Sequence, residues 1–314
     1  MAQNQLSSGD VIADRRADYA RMLAESGDHA AAAELIEQAL ELAPVWTAGW
    51  FRLGEYSEKS GQVEKAVAAY EKVAELDGEG IFAAPLKLAV LGAAETPEQP
   101  PSRYVEGLFD DYAHRFEKAL VEKLDYRVPQ KLAALIETLR PDDGRFRCAV
   151  DIGCGTGLLG VEIQDWAERL EGFDISTNML AKADEKGIYQ HLAQADLSLD
   201  EDGSGLFAGG LERGRADLVA AADVMMYLGS LEAVMPLVRA VLGEGGLFAF
   251  SVEDAGGEEG FVLQPSLRYA HSESYVRGLL GSFGMETLQT RKTTIRKDAG
   301  IPLSGILFLA RKQG

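Results

Sequence analysis

The 314-residue sequence is poor in cysteine and in positive charge, and it contains no long apolar run. Its two cysteines, Cys148 and Cys154, stand six residues apart, which gives neither a disulfide framework nor a zinc cluster. Such usage fits a reducing cytoplasm. No stretch of about 18 apolar residues exists, so no bilayer-spanning helix is expected. The first ten residues lack the basic-then-apolar pattern of a signal peptide, and none is expected. Lys and Arg number 31 against 50 Asp and Glu, a formal charge of −19. The deficit is shared, with 8 basic and 17 acidic side chains in residues 1–100 and 23 and 33 in the rest. A chain this acidic repels a phosphate backbone, so neither nucleic acid nor an anionic membrane is expected as a partner. No His/Asp/Glu set has convincing metal-ligand spacing, and no metal is expected.

What is present is ordinary for globular protein. A hydrophobic fraction of 46% supports a sizeable core, and the length suggests two domains. The first hundred residues repeat. A shift of 34 aligns Ala20 with Gly54, Gly27 with Gly61, Ala32 with Ala66, Ile36 with Tyr70, Ala39 with Val73 and Leu42 with Leu76. Each unit reads as helix, glycine turn, helix, with the small residues at 20/54 and 32/66 where paired helices would approach closely. The pattern resembles the tetratricopeptide repeat. Trp50, Leu53, Gly54, Gly61, Ala66 and Tyr70 occupy its positions in the second unit, whereas the first has Arg16 where an aromatic is expected. Two units span roughly residues 13–79, and the segment from Ile81 to about Ala93 reads as a capping helix for the open end. The expected domains are a helical repeat domain over 10–94, a Pro-rich linker over 95–102, and a second domain over 103–314 that opens with a helical lid over 103–140.

The most informative stretch is Ala149-Val-Asp-Ile-Gly-Cys-Gly-Thr-Gly157, an apolar strand running into a glycine loop. Leu158, Val161, Ile163 and Trp166 continue it as a helix. Glycines allow tight backbone angles and leave no Cβ between chain and ligand. Downstream spacing supports a nucleotide site. A second strand from Leu170 ends in Asp174, where a carboxylate could accept both ribose hydroxyls. Further strands follow, ending at Asp196, over 216–224 and over 246–252. Strands alternating with helices predict a doubly wound, mainly parallel sheet with its ligand at the C-terminal strand ends.

The ordered motifs Asp151-Ile-Gly-Cys-Gly-Thr-Gly157, Phe173-Asp-Ile-Ser-Thr-Asn-Met-Leu180, Ala195-Asp-Leu197 and Val241-Leu-Gly-Glu-Gly-Gly-Leu247 resemble those of the class I S-adenosylmethionine-dependent methyltransferases over residues 101–314. Nicotinamide-binding folds instead use Gly-x-Gly-x-x-Gly. The resemblance implies a Rossmann-like sheet of seven strands and S-adenosylmethionine as cofactor, with S-adenosylhomocysteine as product. It implies that Gly153, Gly155 and Gly157 face the methionine moiety and sugar, and that Asp174 holds the ribose. Ile175 and Met179 would flank adenine, Asp196 and the Leu197 amide would meet its edge, and Asp151 and Ala222 would lie near the methionine end. Tyr227, after the fourth strand, and His271, at the expected pocket rim, are the candidate catalytic residues. Tyr112 and Phe116 are lid candidates. The Asn/Asp-Pro-Pro-aromatic signature of amine methylation on bases or glutamine is missing after that strand.

The whole arrangement is similar to a bacterial group of predicted methyltransferases fused to tetratricopeptide repeats. It implies methyl transfer to a small molecule or a protein side chain, with the repeats docking a partner or forming a dimer. The alternative is a non-catalytic repeat scaffold with a cofactor-sensing or vestigial domain.

Overall fold

The computed structural model describes residues 7–113, 126–140, 144–298 and 300–314. The chain divides into two compact units, Met1–Gly107 and Leu108–Gly314.

The first unit is built from α1 (Val11–Glu25), α2 (His29–Leu40), α3 (Thr47–Lys59), α4 (Val63–Leu76) and α5 (Ala84–Val90). The Asp10 carboxylate starts α1 by accepting from the amides of Ile12 and Ala13 at 2.8 Å each, and Asp28 caps α2 through Ala31 at 3.1 Å. Gly27 and Gly61, one repeat apart, take φ of +90° and +76° in the α1–α2 and α3–α4 turns. Ala13, Ala17, Ala20, Ala32, Ala33, Ala39, Ala66 and Ala69 are buried, so the helices pack close around Ile36, Leu53 and Tyr70. Tyr70 donates to Glu58 at 2.9 Å, and Lys87 of α5 pairs with the same carboxylate at 2.9 Å, tying the last helix to the second repeat.

The difference between repeats has a steric reason. A Cβ on Gly54 would stand 2.4 Å from the Tyr70 ring, so the aromatic requires glycine opposite it. The first repeat carries Ala20 and the smaller Ile36 at the matching positions. Gly54→Val is therefore expected to destabilise this unit by about 2–3 kcal/mol through overpacking. Urea titration followed by tryptophan fluorescence would detect it, and an unchanged midpoint would refute the close packing.

The second unit begins within α6 (Ser102–Tyr112) and continues through α7 (Val128–Glu137) into a sheet of nine strands among the described residues. Its strands are β1 (Ala149–Ile152), β2 (Leu170–Asp174), β3 (His191–Gln194), β4 (Ala216–Ala221), β5 (Leu242–Asp254), β6 (Phe261–Leu263), β7 (Tyr269–His271), β8 (Met285–Asp298) and β9 (Ile301–Lys312). The helices between them are α8 (Leu158–Ile163), α9 (Thr177–Asp184), α10 (Val234–Val241) and α11 (Glu273–Ser282).

The first five strands pair in parallel in the order 3-2-1-4-5, and β9 then joins β5 antiparallel and carries β8 outside it. Those seven are the expected sheet. The remaining two form a β6–β7 hairpin, and β7 pairs with Glu253 and Asp254 of β5, past the point where β4 stops at Ala221. β5 is long enough to hold β9 along one edge and both β4 and β7 along the other. One core cluster joins Val150, Ile152, Phe173, Phe248, Phe250 and Phe308 to residues of α10 and α11, and a second joins Ala149, Leu218, Leu247 and Leu309 to α7 and α8. The sheet is thus buried on both faces, as a parallel sheet must be. The connections run outward from β1 in one direction and from β4 in the other, which opens a crevice at the C-terminal ends of those two strands.

Candidate functional site

The loop after β1 enters that crevice. Gly153, Gly155 and Gly157 adopt φ of +68°, +54° and +89°, the left-handed region that side chains disfavour. A Cβ on Gly153 would lie 2.4 Å from Cγ2 of Val224, so the loop also needs glycine to pack against the segment after β4. The Cys154 amide donates to the Phe173 carbonyl at 2.9 Å and ties the loop to β2.

Asp174 closes β2 and turns its buried carboxylate toward the loop. Oδ2 accepts from the Gly155 amide at 2.8 Å, and Oδ1 from the Ser176 amide at 2.9 Å. Burial pushes this carboxyl up to about 6, against the pull of the two amides. Asp151 is buried one strand away and pushed up to about 7, again mainly by burial. Its Oδ2 accepts from the Tyr189 hydroxyl at 2.8 Å, while its Oδ1 has no hydrogen-bond partner. The Tyr189 ring fits there because a Cβ on Gly160 would stand 2.2 Å from its hydroxyl.

On the far side of β2, Ile175 is half-buried and its carbonyl accepts from Gln194 at 2.8 Å. The Asp196 carboxylate holds its own turn, accepting from the Ser198 amide at 2.9 Å and hydroxyl at 2.6 Å. The Leu197 side chain is buried beside it. Met179 stands in the first turn of α9 with its side chain wholly buried.

The other wall follows β4. Ala222 is half-buried, and Asp223 takes φ of +57°, an uncommon conformation for a residue with a side chain. Its amide donates to the Ser251 hydroxyl at 2.9 Å, and its carboxylate pairs with Arg296 of β8 at 2.7 Å. Arg296 also pairs with Glu253, which accepts from Arg268 at 2.8 Å. Tyr227 follows, half-buried, with its hydroxyl pushed up to about 12 by burial. It keeps its proton at neutral pH, which suits a hydrogen-bond donor and not a base. Phe109 of α6 meets the Tyr227 ring edge-on at 4.9 Å between centroids.

His271 also departs from expectation. The ring has no exposed surface, Nε2 donates to the Gly229 carbonyl at 2.8 Å, and burial pushes the imidazole down to about 4. β7 draws it under the rim, where it braces the turn after β4 and offers no open face to an acceptor. Of the lid candidates, Tyr112 ends α6 half-buried, and Phe116 lies outside the described residues. Tyr189, Asp110, Asp223 and Arg296 are not among the residues expected from the sequence. Only Asp223, beside Ala222 at a strand end, had a positional signal; the others arrive from distant segments.

A methyltransferase domain model matches residues 124–280, half of the chain, and a tetratricopeptide repeat model matches 15–45 and 48–79. The chain belongs to the methyltransferase domain family. Two N-terminal tetratricopeptide repeats precede its methyltransferase domain. It is 35% identical over 88 residues to an 18S rRNA (guanine-N(7))-methyltransferase from Arabidopsis thaliana, a span covering 28% of each chain. Among solved structures it is similar in fold to the 1,6-didemethyltoxoflavin-N1-methyltransferase of Burkholderia thailandensis (17% identity, 70% of this chain and 94% of that one, TM-score 0.51). The magnesium protoporphyrin IX methyltransferase of Synechocystis is similar too (20% identity, 68% and 99%, TM-score 0.50).

The residues present fit S-adenosylmethionine. The methyltransferase holds a buried carboxylate at the end of β2, a glycine cradle with no room for Cβ at Gly153, and an unpartnered buried oxygen on Asp151. Among the described residues no group of three or more His, Cys, Asp or Glu could hold a metal ion, and no helix is long and apolar enough to cross a membrane.

Proposed function

We propose that Asp174 accepts the ribose hydroxyls of S-adenosylmethionine, and that Gly153, Gly155 and Gly157 line its sugar and methionine moiety. In this reading Asp151 Oδ1 takes the methionine ammonium, Ile175 flanks adenine, and Asp196 with the Leu197 amide meets the adenine edge. Ala222 borders the methionine end. One observation carries it: two backbone amides, one from the glycine loop and one from the segment after β2, converge on a buried Asp174 carboxylate. The bound cofactor supplies an electrophilic methyl group, and the protein supplies orientation and exclusion of water. Phe109 and Tyr227 bring aromatic surface to the methyl end, and the Tyr227 hydroxyl orients the acceptor as a hydrogen-bond donor.

The acceptor in this reading is a small molecule or a protein side chain. The charge of −19 opposes a nucleic-acid substrate, and the rRNA named for the Arabidopsis thaliana protein belongs to a relative matched over 28% of its length. The repeats, with proposed bounds 10–94, dock a protein partner or a second copy, and the enzyme domain occupies 103–314. Two unpaired cysteines, both buried, support a reducing compartment such as the cytoplasm.

Calorimetric titration with S-adenosylhomocysteine should give a micromolar or tighter dissociation constant, and no heat at such concentrations would refute the site. Incubating the protein with methyl-labelled cofactor and fractionated lysate should then place label in protein or small molecules. Label in RNA would overturn the acceptor class.

A further inference from the structure

The cofactor carboxylate is held from outside the sheet as well as from within it. Phe109 and Asp110 are neighbours on α6, yet Phe109 meets Tyr227 after β4 while Asp110 reaches the segment after β2. β1 lies between those two strands, so this part of α6 passes over the end of β1 and its glycine loop. The Asp110 carboxylate accepts from the Ser176 hydroxyl at 2.6 Å and from the Asn178 amide at 3.3 Å. The Asn178 side chain donates back to the Asp110 carbonyl at 3.2 Å.

Ser176 is the pivot. Its hydroxyl accepts from the Met179 amide at 3.0 Å, capping α9, and its own amide donates to Asp174 at 2.9 Å. Whatever fixes Ser176 therefore fixes the oxygen that Asp174 presents.

We infer that Asp110 is a positioning residue for the cofactor, latching α6 to Ser176 so that Asp174 is held ready for the ribose hydroxyls. The inference rests on the proposed role of Asp174. The coupling is reciprocal, because a ligand that orders Asp174 and Ser176 also holds α6 down. The latch adds a second negative charge near Asp174, and that charge raises the proton affinity of the Asp174 carboxyl alongside burial. Asp151, Cys154 and Tyr189 are the other titratable groups whose charge is coupled to Asp174.

The alternative is that Asp110 only helps to cap α9, and two substitutions separate the readings. Asp110→Ala removes both the acceptor oxygen and the charge, and S-adenosylhomocysteine should bind about tenfold more weakly, the loss of one charge-assisted hydrogen bond. Asp110→Asn keeps an acceptor oxygen, and its affinity at pH 7.5 should lie within about threefold of the parent. Its binding should survive to lower pH than the parent's, because the charge that favours protonated Asp174 is gone. A cap alone would lower the melting temperature of Asp110→Ala and leave its affinity at pH 7.5 in place, which would overturn the inference. So would an unshifted or raised acid midpoint in Asp110→Asn, the variant that decides the matter if the alanine protein is unstable. Failure of the parent protein to bind, or unimpaired binding by Asp174→Ala, would instead remove the reading on which the latch rests.

Discussion

Replacing Asp174 by alanine is expected to weaken S-adenosylhomocysteine binding by about a hundredfold or more, as two charge-assisted hydrogen bonds to the ribose would be lost together. The change also strips the Gly155 and Ser176 amides of their acceptor, so the loop and the start of α9 lose their common anchor. Calorimetry reads the affinity directly, and a loss of less than tenfold would sink the assignment.

The pH dependence carries a sign that can be checked independently. Burial raises the Asp174 carboxyl to about 6, above its ordinary range, so the ligand-free protein binds an extra proton as pH falls through 6 toward 4. Ligand-free stability therefore gains from this group on acidification and loses the gain as pH rises through about 6. Affinity runs the other way, because the ionised carboxylate is the better acceptor for ribose hydroxyls. The parent protein should bind the cofactor progressively more weakly as pH falls through about 7 and then 6, as the Asp151 carboxyl proposed for the ammonium and then Asp174 take up protons.

Arg296→Leu is expected to cost about 3 kcal/mol of stability, since it leaves the buried Glu253 and half-buried Asp223 carboxylates without their shared partner. Asp223 would keep only the Ser251 hydroxyl, and Glu253 would keep Arg268. Asp223 is already raised by burial against the pull of Arg296, and without the guanidinium it would hold its proton more tightly still. Asp223 also holds a left-handed backbone, which adds local strain at that position. Urea denaturation measures the loss, and a change under 1 kcal/mol would show that the cluster bears little of the fold. A double variant, Asp223→Asn with Arg296→Leu, should lose less than the sum of the single changes, because the uncompensated charge is removed along with its partner.

Repeats, glycine loop and first five strands could be read from the chain because each rests on local periodicity. The 34-residue shift placed glycine at both helix turns, and the strand-to-loop transition at Ile152–Gly153 needed only apolar residues followed by glycine. The β6–β7 hairpin was not legible. Its strands have three residues each, and what defines them is pairing with the far end of β5, a contact no local pattern announces. His271 is placed by the same pairing. A histidine after a strand looks like a rim residue until β7 carries it beneath the turn and Gly229 takes its ring nitrogen.

The sequence by itself determined the two repeats, the glycine loop after the first strand and the carboxylate that ends the second, all of which follow from residue type at a fixed spacing along the chain. Only the tertiary structure decided which oxygen of Asp174 meets which amide, that Tyr189 supports Asp151, and that Asp110 and Arg296 reach the site. The pairs Tyr189–Asp151, Asp110–Ser176 and Arg296–Asp223 are 38, 66 and 73 residues apart. Partners so distant are brought together by sheet order and helix packing, where burial of apolar faces sets the positions and the polar groups then satisfy one another at whatever approach those positions allow.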